Sequence, residues 1–182
     1  MELSEVIKNR RSIRKIKSDP IDDEKLKKVL EAGRWAPSWA NSQTWRFIVV
    51  RDKNIKAEMA DTLSSGNAAI EAIKNSPVTI VVCAETNRAG CRDGSPVTDK
   101  GGYWYMYDSG LAMQNMVLTA HSLGLGTVIV GAFDAGKAAE ILGVPDGYCV
   151  VAMTPLGAPA HEGRAPQRKE LTEIVFNDRF GA

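Results

Sequence analysis

The feature that most constrains the fold is an unbroken, largely apolar run, PVTIVVCA, over residues 77–84. Its length and its β-branched valine and isoleucine side chains are typical of a strand rather than a helix. The run lacks the regular alternation of apolar and polar residues that marks a strand with one face in water. We therefore predict a strand that is buried on both faces.

Three further segments, rich in β-branched or aromatic residues, predict strands over residues 45–50, 127–130 and 149–156. Around them, apolar residues recur at helical spacing, and Asp22 or Asp23 is suited to cap the second helix, which Gly33 and Pro37 end. This alternation without an internal repeat predicts a layered α/β sandwich in one domain, residues 1–182. The other helices are predicted from residue 3 to Arg10 and over residues 54–63, 68–74, 105–123 and 135–142.

Three segments suggest either contact with another subunit or a functional loop. Helix 105–123 is apolar around most of its circumference, so we expect it to be buried, in part by another subunit. The polar, glycine-dotted loop 85–102 is long enough to suggest a functional lid. The stretch 157–182 contains Pro159, Pro166 and many charges, which predicts an arm that is disordered or lies on a partner.

Composition excludes several classes of protein. Lysine plus arginine number 23 against 22 for aspartate plus glutamate, so the net charge of +1 offers no general attraction for nucleic acid or anionic membranes. The chain has no apolar run near the ~20 residues of a membrane-spanning helix and no signal-peptide pattern at its N-terminus, so we expect a cytoplasmic protein. The 3 widely spaced cysteines and 2 histidines predict neither a disulfide framework nor a metal centre.

Two clusters of basic residues lie near opposite ends of the chain. Their members repel one another unless an anion lies among them; they are Arg10, Arg11 and Arg14 in the run RRSIR, and Arg164, Arg168 and Lys169 in the arm. Guanidinium groups bind phosphate through two parallel hydrogen bonds, and Ser12 adds a hydroxyl donor. If the first helix continues, Arg10 and Arg14 share one of its faces. One anion held by both clusters is the functional interpretation, and a solvated basic helix end is the alternative.

Two further segments have the composition of ligand-binding turns. In APSWANSQTWRF, residues 36–47, small and amide side chains join a helix end to a strand, so Asn41 and Gln43 can hydrogen-bond a polar ligand edge. A polar turn that only caps its neighbours is the alternative. In LGLGTVIVGAF, residues 123–133, Gly131 follows the strand and allows its backbone N–H to approach a ligand closely. Neither segment is a GxGxxG fingerprint, and the sequence contains no Rossmann or P-loop motif.

Together and in this order, the four segments resemble the nitroreductase family of flavoproteins. The resemblance covers nearly the whole chain: the RRSIR opening, the APSWANSQTWRF turn and strand, the long helix closing with GLGT, and a basic arm ending in LTEIV. Thr44 is a departure, since many relatives have proline there. The resemblance implies an α+β fold, a three-layer α/β/α sandwich with a mixed, mainly antiparallel sheet. It also implies a domain-swapped homodimer in which the arm 157–182 is exchanged with the partner subunit.

The resemblance further implies an FMN site at the subunit interface. One group of residues holds the flavin and its phosphate, a second comes from the other subunit, and a third lies against the isoalloxazine, with the N–H of Gly131 near N5. In that order, the groups are Arg10, Arg11, Ser12, Arg14, Arg168 and Lys169; Pro37, Ser38, Trp39 and Asn41; and Ile129, Val130 and Gly131. Arg14 beside the pyrimidine edge is an alternative placement. Asn67, Glu71 and Lys74 are open candidates for the O2/N3 edge.

The implied activity is that of an FMN-dependent NAD(P)H oxidoreductase, passing two electrons to a nitroaromatic, quinone or similar flat acceptor by a ping-pong mechanism. Because FMN carries the hydride, no side chain needs to act as a nucleophile or general base, and we predict no catalytic residue. Two alternatives stay open: a specialised relative that reduces free flavin, a halogenated aromatic or an activated alkene, and a flavin-binding protein without turnover.

Overall fold

The computed structural model describes residues 2–181 of the chain. Within these residues, six α-helices and six strands follow one another, with 3₁₀ turns at Trp39–Asn41 and Leu171–Glu173. The helices are α1 (Leu3–Asn9), α2 (Asp23–Arg34), α3 (Lys53–Ala60), α4 (Ile70–Asn75), α5 (Trp104–Ser122) and α6 (Ala135–Leu142). The strands are β1 (Trp45–Val50), β2 (Val78–Glu85), β3 (Cys91–Arg92), β4 (Ser95–Pro96), β5 (Gly126–Thr127) and β6 (Tyr148–Gly157).

The main sheet has four strands in the order β1-β2-β6-β5, and neighbouring strands pair antiparallel. Strand β2 is the predicted run 77–84 displaced by one residue, and it lies between β1 and β6. Its central position explains its composition, since every residue from Val78 to Ala84 is buried. The sheet is therefore mainly antiparallel, as the resemblance implied, and a parallel contact is made by the isolated bridge between Ser12 and Thr127.

Helices cover both faces of the sheet. Successive residues of β2 point to opposite faces, so Ile80 and Val82 join the core formed with α2 and α5, whereas Val81 and Cys83 join the core formed with α3, α4 and α6. The molecule thus has three layers, which confirms the predicted sandwich.

Aspartate side chains fix the starts of three helices. The carboxylate of Asp22 accepts the N–H of Glu24, which confirms one of the two predicted caps of α2. Asp52 and Asp134 cap α3 and α6 in the same way, and α6 ends at Gly143 in the left-handed region, with φ of 64°.

Helix α5 crosses one face of the sheet. It approaches α2 so closely at Gly33 that a Cβ there would lie 2.9 Å from Cγ of Met116, which explains the glycine. Near the start of α5, Met106 and Tyr107 are 48% and 61% exposed. The helix is apolar almost all round, as predicted, and the single chain leaves part of its apolar surface uncovered.

At three places the structure differs from what the sequence indicated. The predicted strand 127–130 is reduced to β5, and Val130 pairs with Met153 through an isolated bridge instead. The loop 85–102 is not free of regular structure, because it contains the hairpin of β3 and β4. Helix α1 ends at Asn9, and Arg10 has an extended ψ of 130°, so Arg10 and Arg14 do not share a helical face.

The end of the chain runs over the surface. The backbone pairs with the N-terminal segment as far as Ala160, and all residues from 164 to 181 are exposed, including Leu171, Phe176 and Phe180. Residues 157–160 of the predicted arm thus pair with the same subunit, whereas residues 164–181 are exposed. No helix among the described residues is long and apolar enough to cross a membrane.

Candidate functional site

The two basic clusters meet because the ends of the chain run side by side. The N–H of Ile13 donates to the carbonyl of Thr127 at 2.8 Å, which lays the segment after α1 along β5. The arm then pairs with the same segment: Lys17 donates to Ala158 and Ala160 donates to Lys15, both at 2.9 Å. Backbone hydrogen bonds therefore bring together two clusters that are far apart in sequence.

Between the clusters lies a cavity of about 680 Å³, which we call the arginine cavity. Its polar lining consists largely of cationic side chains and hydrogen-bond donors, and its lining residues are Arg10, Arg11, Ser12, Arg14, His161, Gly163, Arg164, Ala165, Pro166, Gln167 and Arg168. No aspartate or glutamate is among these described lining residues, and the ion pairs found within residues 2–181 leave these arginines out. The arrangement is that of an anion site.

The charges in the cavity act on one another. Burial, and then the proximity of Arg11 and Arg168, lowers the pKa of Arg10. Burial, followed by Arg10 and Arg11, likewise lowers the pKa of His121 at the end of α5. Since arginine stays protonated at neutral pH, an anion among the guanidinium groups would relieve this repulsion.

Arg11 has a different position from the other arginines. Its guanidinium donates to the carbonyls of Lys8 and Arg10, at 2.6 and 2.8 Å, and so satisfies the C-terminal end of α1. The arm crosses directly over it, because a Cβ on Gly163 would lie only 2.3 Å from the Cβ of Arg11. Lys169 does not line the arginine cavity.

The predicted turn between α2 and β1 is held by a buried carboxylate on α5. The backbone N–H of Trp39 donates to both oxygens of Asp108, at 3.1 Å each, and the N–H of Gln43 donates to Oγ of Ser38 at 2.9 Å. Burial raises the pKa of Asp108, while the bonds from Trp39 and Ser42 oppose that rise.

An aromatic group connects this turn to the loop 85–102. The ring of Trp39 lies 4.9 Å from that of Trp104, which lies 5.6 Å from that of Tyr107. The indole N–H of Trp104 donates to Oγ1 of Thr98 at 2.9 Å, and Gly90 packs so closely on this indole that a Cβ would be 2.2 Å from Cδ1. The loop is thereby anchored to the turn.

The third predicted group lies just beyond β5. Val130 exchanges two backbone hydrogen bonds with Met153 and is only 4% exposed, so its side chain belongs to the core. Ile129 is 47% exposed, and a Cβ on Gly131 would meet no atom within 4 Å. Of the three residues, Ile129 and the backbone of Gly131 are therefore the parts accessible to a ligand.

The single chain does not unite the three groups. As far as residues 2–181 are concerned, the lining of the arginine cavity includes neither the turn 36–47 nor residues 129–131. The open candidates for the flavin O2/N3 edge lie outside that lining too, and Lys74 pairs with Asp61 at 3.4 Å.

The sequence profile described as the nitroreductase family matches residues 7–158, which is most of the chain. The chain belongs to the nitroreductase family. An Archaeoglobus fulgidus protein assigned as an NADH dehydrogenase/NAD(P)H nitroreductase is 34% identical over 166 residues, 88% of this chain and 87% of the relative. A solved nitroreductase family protein from Clostridium novyi NT is 35% identical, with a TM-score of 0.80 over 100% of this chain and 96% of that chain. A Desulfovibrio desulfuricans protein solved in complex with FMN is 29% identical, with a TM-score of 0.79 over 99% of this chain and 98% of that chain.

Membership of the nitroreductase family confirms the resemblance and the prediction that the chain is an oxidoreductase. The matched region contains the RRSIR run, the turn 36–47 and Gly131, and it ends before Arg164. The family match therefore does not extend to the arm, and the evidence for its part in the site comes from the structure, in which Arg164 and Arg168 face the arginines of the RRSIR run.

Sequence reasoning missed two residues that shape the candidate site, Asp108 and Gly163. Asp108 had a usable signal, since it is the one aspartate, glutamate, lysine or arginine within the sequence of α5. Gly163 had none, because its close approach to Arg11 depends on how the arm crosses the N-terminal segment.

Proposed function

We propose that this member of the nitroreductase family is an FMN-dependent NAD(P)H oxidoreductase that passes two electrons to a nitroaromatic, quinone or similar flat acceptor. The observation that carries the proposal is the arginine cavity, a convergence of cationic side chains without a carboxylate in its described lining. The phosphate of FMN fits such a cavity in charge and in hydrogen-bonding geometry. The family relative solved with FMN supports the same cofactor.

The residues of the cavity divide the work of binding the phosphate. Arg10, Arg14 and Arg168 supply guanidinium groups, and Ser12 supplies a hydroxyl donor. Arg11, whose guanidinium is already bonded to carbonyls of α1, forms the wall against which the arm lies. Lys169 adds positive charge to the same segment of the arm.

When bound, FMN supplies the two-electron transfer between nicotinamide and acceptor. The chain binds and orients the reactants. The exposed side chain of Ile129 and the open backbone at Gly131 form a surface suited to a flat ring. The rings of Trp39, Trp104 and Tyr107 offer stacking surfaces for a flat acceptor and exclude water from one side of it.

A homodimer with exchanged arms is part of the proposal. In one chain the turn at Pro37, Ser38, Trp39 and Asn41 lies apart from the arginine cavity. The arm 164–181 is exposed with its apolar side chains, and α5 presents exposed apolar residues as well. A second copy that covers these surfaces and brings its turn to the cavity would complete the site. Such interfaces typically bury more than ~2,000 Å².

The test is cofactor identity and binding in matched variants. The purified protein should release FMN, identified by mass spectrometry, and should oxidise NAD(P)H with an added quinone or nitroarene. Loss of a hydrogen bond to a charged group is worth roughly 1.5–3 kcal/mol, so Arg10→Ala and Arg14→Ala should each weaken FMN binding at least about tenfold. Arg51→Ala, which removes an exposed arginine paired with Asp23, is the control and should bind FMN normally.

Kinetics and assembly complete the test. If one flat ligand stacks at a time, double-reciprocal plots at several acceptor concentrations should be parallel. Sedimentation should give a dimer for the flavin-loaded protein. A wild-type chain that binds no flavin after reconstitution would overturn the proposed function, and a stable, flavin-loaded monomer would overturn the dimer.

A further inference from the structure

Helix α5 buries a carboxylate in an apolar environment. Asp108 is 1% exposed, and α5 carries no other aspartate, glutamate, lysine or arginine along its length. Within residues 2–181, the ion pairs include no cation bound to Asp108. Burying an ionised carboxylate is unfavourable unless hydrogen bonds replace its hydration. The groups that donate hydrogen bonds to Asp108 therefore show which part of the structure it supports.

Those donors belong to the turn between α2 and β1. The N–H of Trp39 lies 3.1 Å from each carboxylate oxygen, and the hydroxyl of Ser42 lies 3.5 Å from Oδ2. Hydrogen bonds to an ionised acceptor are stronger than neutral ones, and burial strengthens them further. The carboxylate therefore holds the start of the segment at Trp39 and makes a longer contact with its end at Ser42.

Within this segment and at the residue that follows it, the backbone adopts a conformation that is uncommon for residues other than glycine. Ala40, Asn41 and Gln43 have φ values of 43°, 55° and 47°, in the left-handed region that favours glycine. Such strain persists only where the surroundings enforce it, and it is concentrated at functional sites. Here Asp108 bonds the N–H of Trp39 just before the left-handed residues, and Ser38 bonds the N–H of Gln43.

We infer that Asp108 is a positioning residue for cofactor binding, which holds Trp39 and Asn41 in the orientation that contacts FMN. The inference rests on the proposed function, because it takes the turn to be part of the FMN site. Asp108 acts through the backbone of Trp39 and does not itself touch the cofactor. The same bonds fix the indole of Trp39 against Trp104 and so set one wall for the flat acceptor.

The test compares Asp108→Asn with a matched control. Asparagine keeps the size of the side chain but loses the charge and one acceptor oxygen, so FMN should dissociate about tenfold more readily, and the visible circular dichroism of bound flavin should change. Asp52→Asn alters another carboxylate that accepts two backbone N–H groups, at Asn54 and Ile55. It should lower the melting temperature of the apoprotein while FMN affinity and the flavin spectrum stay the same.

A second variant covers the case in which Asp108→Asn does not fold. Ser42→Ala leaves the carboxylate in place and removes one of its donors, so FMN affinity should fall a few-fold with the apoprotein melting temperature unchanged. Wild-type affinity and spectrum in folded Asp108→Asn would overturn the inference, as would wild-type affinity in Ser42→Ala if Asp108→Asn is unfolded. A wild-type protein that binds no FMN would instead overturn the proposed function, so the two failures are distinguishable.

Discussion

A substitution at Gly163 tests whether the crossing of the arm over Arg11 positions the phosphate site. A Cβ at residue 163 would lie 2.3 Å from Cβ of Arg11 and 3.1 Å from Cδ1 of Ile13, whereas ordinary contacts begin at 3.4 Å. Gly163→Ala therefore requires a displacement of about 3.4 − 2.3 = 1.1 Å between the two segments. Cβ of Arg11 is close to the backbone, so rotation of the side chain cannot relieve the overlap.

The size of the loss in FMN affinity depends on which of the two segments moves. Overpacking costs about 1–3 kcal/mol when nothing yields. The arm beyond Gly163 is exposed from residue 164 onward, so it moves away at little cost to the folded core. Arg168 would then leave the proposed phosphate site. Losing one charge-assisted contact of roughly 1.5–3 kcal/mol weakens binding roughly 10- to 150-fold.

The assay is calorimetric titration of the apoprotein with FMN at fixed ionic strength, together with thermal unfolding of the apoprotein. Gly163→Ala should raise the dissociation constant by at least about tenfold and leave the melting temperature nearly unchanged. Gly136→Ala is the matched control, because its Cβ would meet only Oδ1 of Asp134 at 3.5 Å, and it should bind FMN like the wild type. An FMN affinity within threefold of the wild type in Gly163→Ala would refute the reasoning.

Three further predictions concern substitutions of single residues. Gly131→Ala should leave apoprotein stability unchanged, since its Cβ meets nothing within 4 Å, and should weaken FMN binding on the order of tenfold; unaltered affinity would count against a flavin contact there. Thr44→Val should raise stability by about 1 kcal/mol, roughly 2–4 °C in melting temperature, because Oγ1 of Thr44 is buried without a hydrogen-bond partner in the described chain; a lower melting temperature would contradict this. Burial lowers the pKa of Lys56, so the folded state releases this proton more readily, and the free energy of unfolding should rise as pH approaches the ordinary lysine value of about 10.4. Lys56→Met should flatten that rise in urea unfolding measured over a pH series, and an unchanged pH dependence would contradict the assignment.

The sequence predicted the parts of the fold that depend on burial alone. The apolar run that became β2 and the apolar helix that became α5 were both placed within one residue of their observed starts. Each pattern reflects the environment of its own element: β2 lies between two cores, and α5 packs against the sheet. Such signals are local, so a single sequence is sufficient to interpret them.

Features that depend on long-range contact could not be predicted in the same way. The helical spacing of Arg10 and Arg14 was irrelevant, because backbone pairing with Thr127 extends the chain after Asn9. The strand predicted at 127–130 shortened to two residues for a related reason: beyond Thr127 the chain leaves β6 and returns to it only at Val130. Asp108 was visible as a charge within α5, but the turn that it bonds lies 69 residues away in sequence.

In the short N-terminal segment that lines the arginine cavity, apolar side chains attach the chain to the core while neighbouring arginines repel one another. Ile13 and Ile16 are 8% and 7% exposed and belong to the core that includes α3, α4 and α6, so they attach the segment to the sheet. Full burial of such a side chain stabilises a fold by roughly 1.5–3 kcal/mol, which favours the arrangement that brings the neighbouring arginines together. Among the described residues of the arm, none beyond Ala160 is buried, so this part of the chain is the freer to move away from the RRSIR run. An anion that binds only when the arm lies against the RRSIR run stabilises that position of the arm by about 2.7 kcal/mol when the anion's concentration is 100 times its dissociation constant. Phosphate binding should therefore order the arm while leaving the sandwich unchanged, which hydrogen exchange on residues 160–170 and on β2 can measure separately.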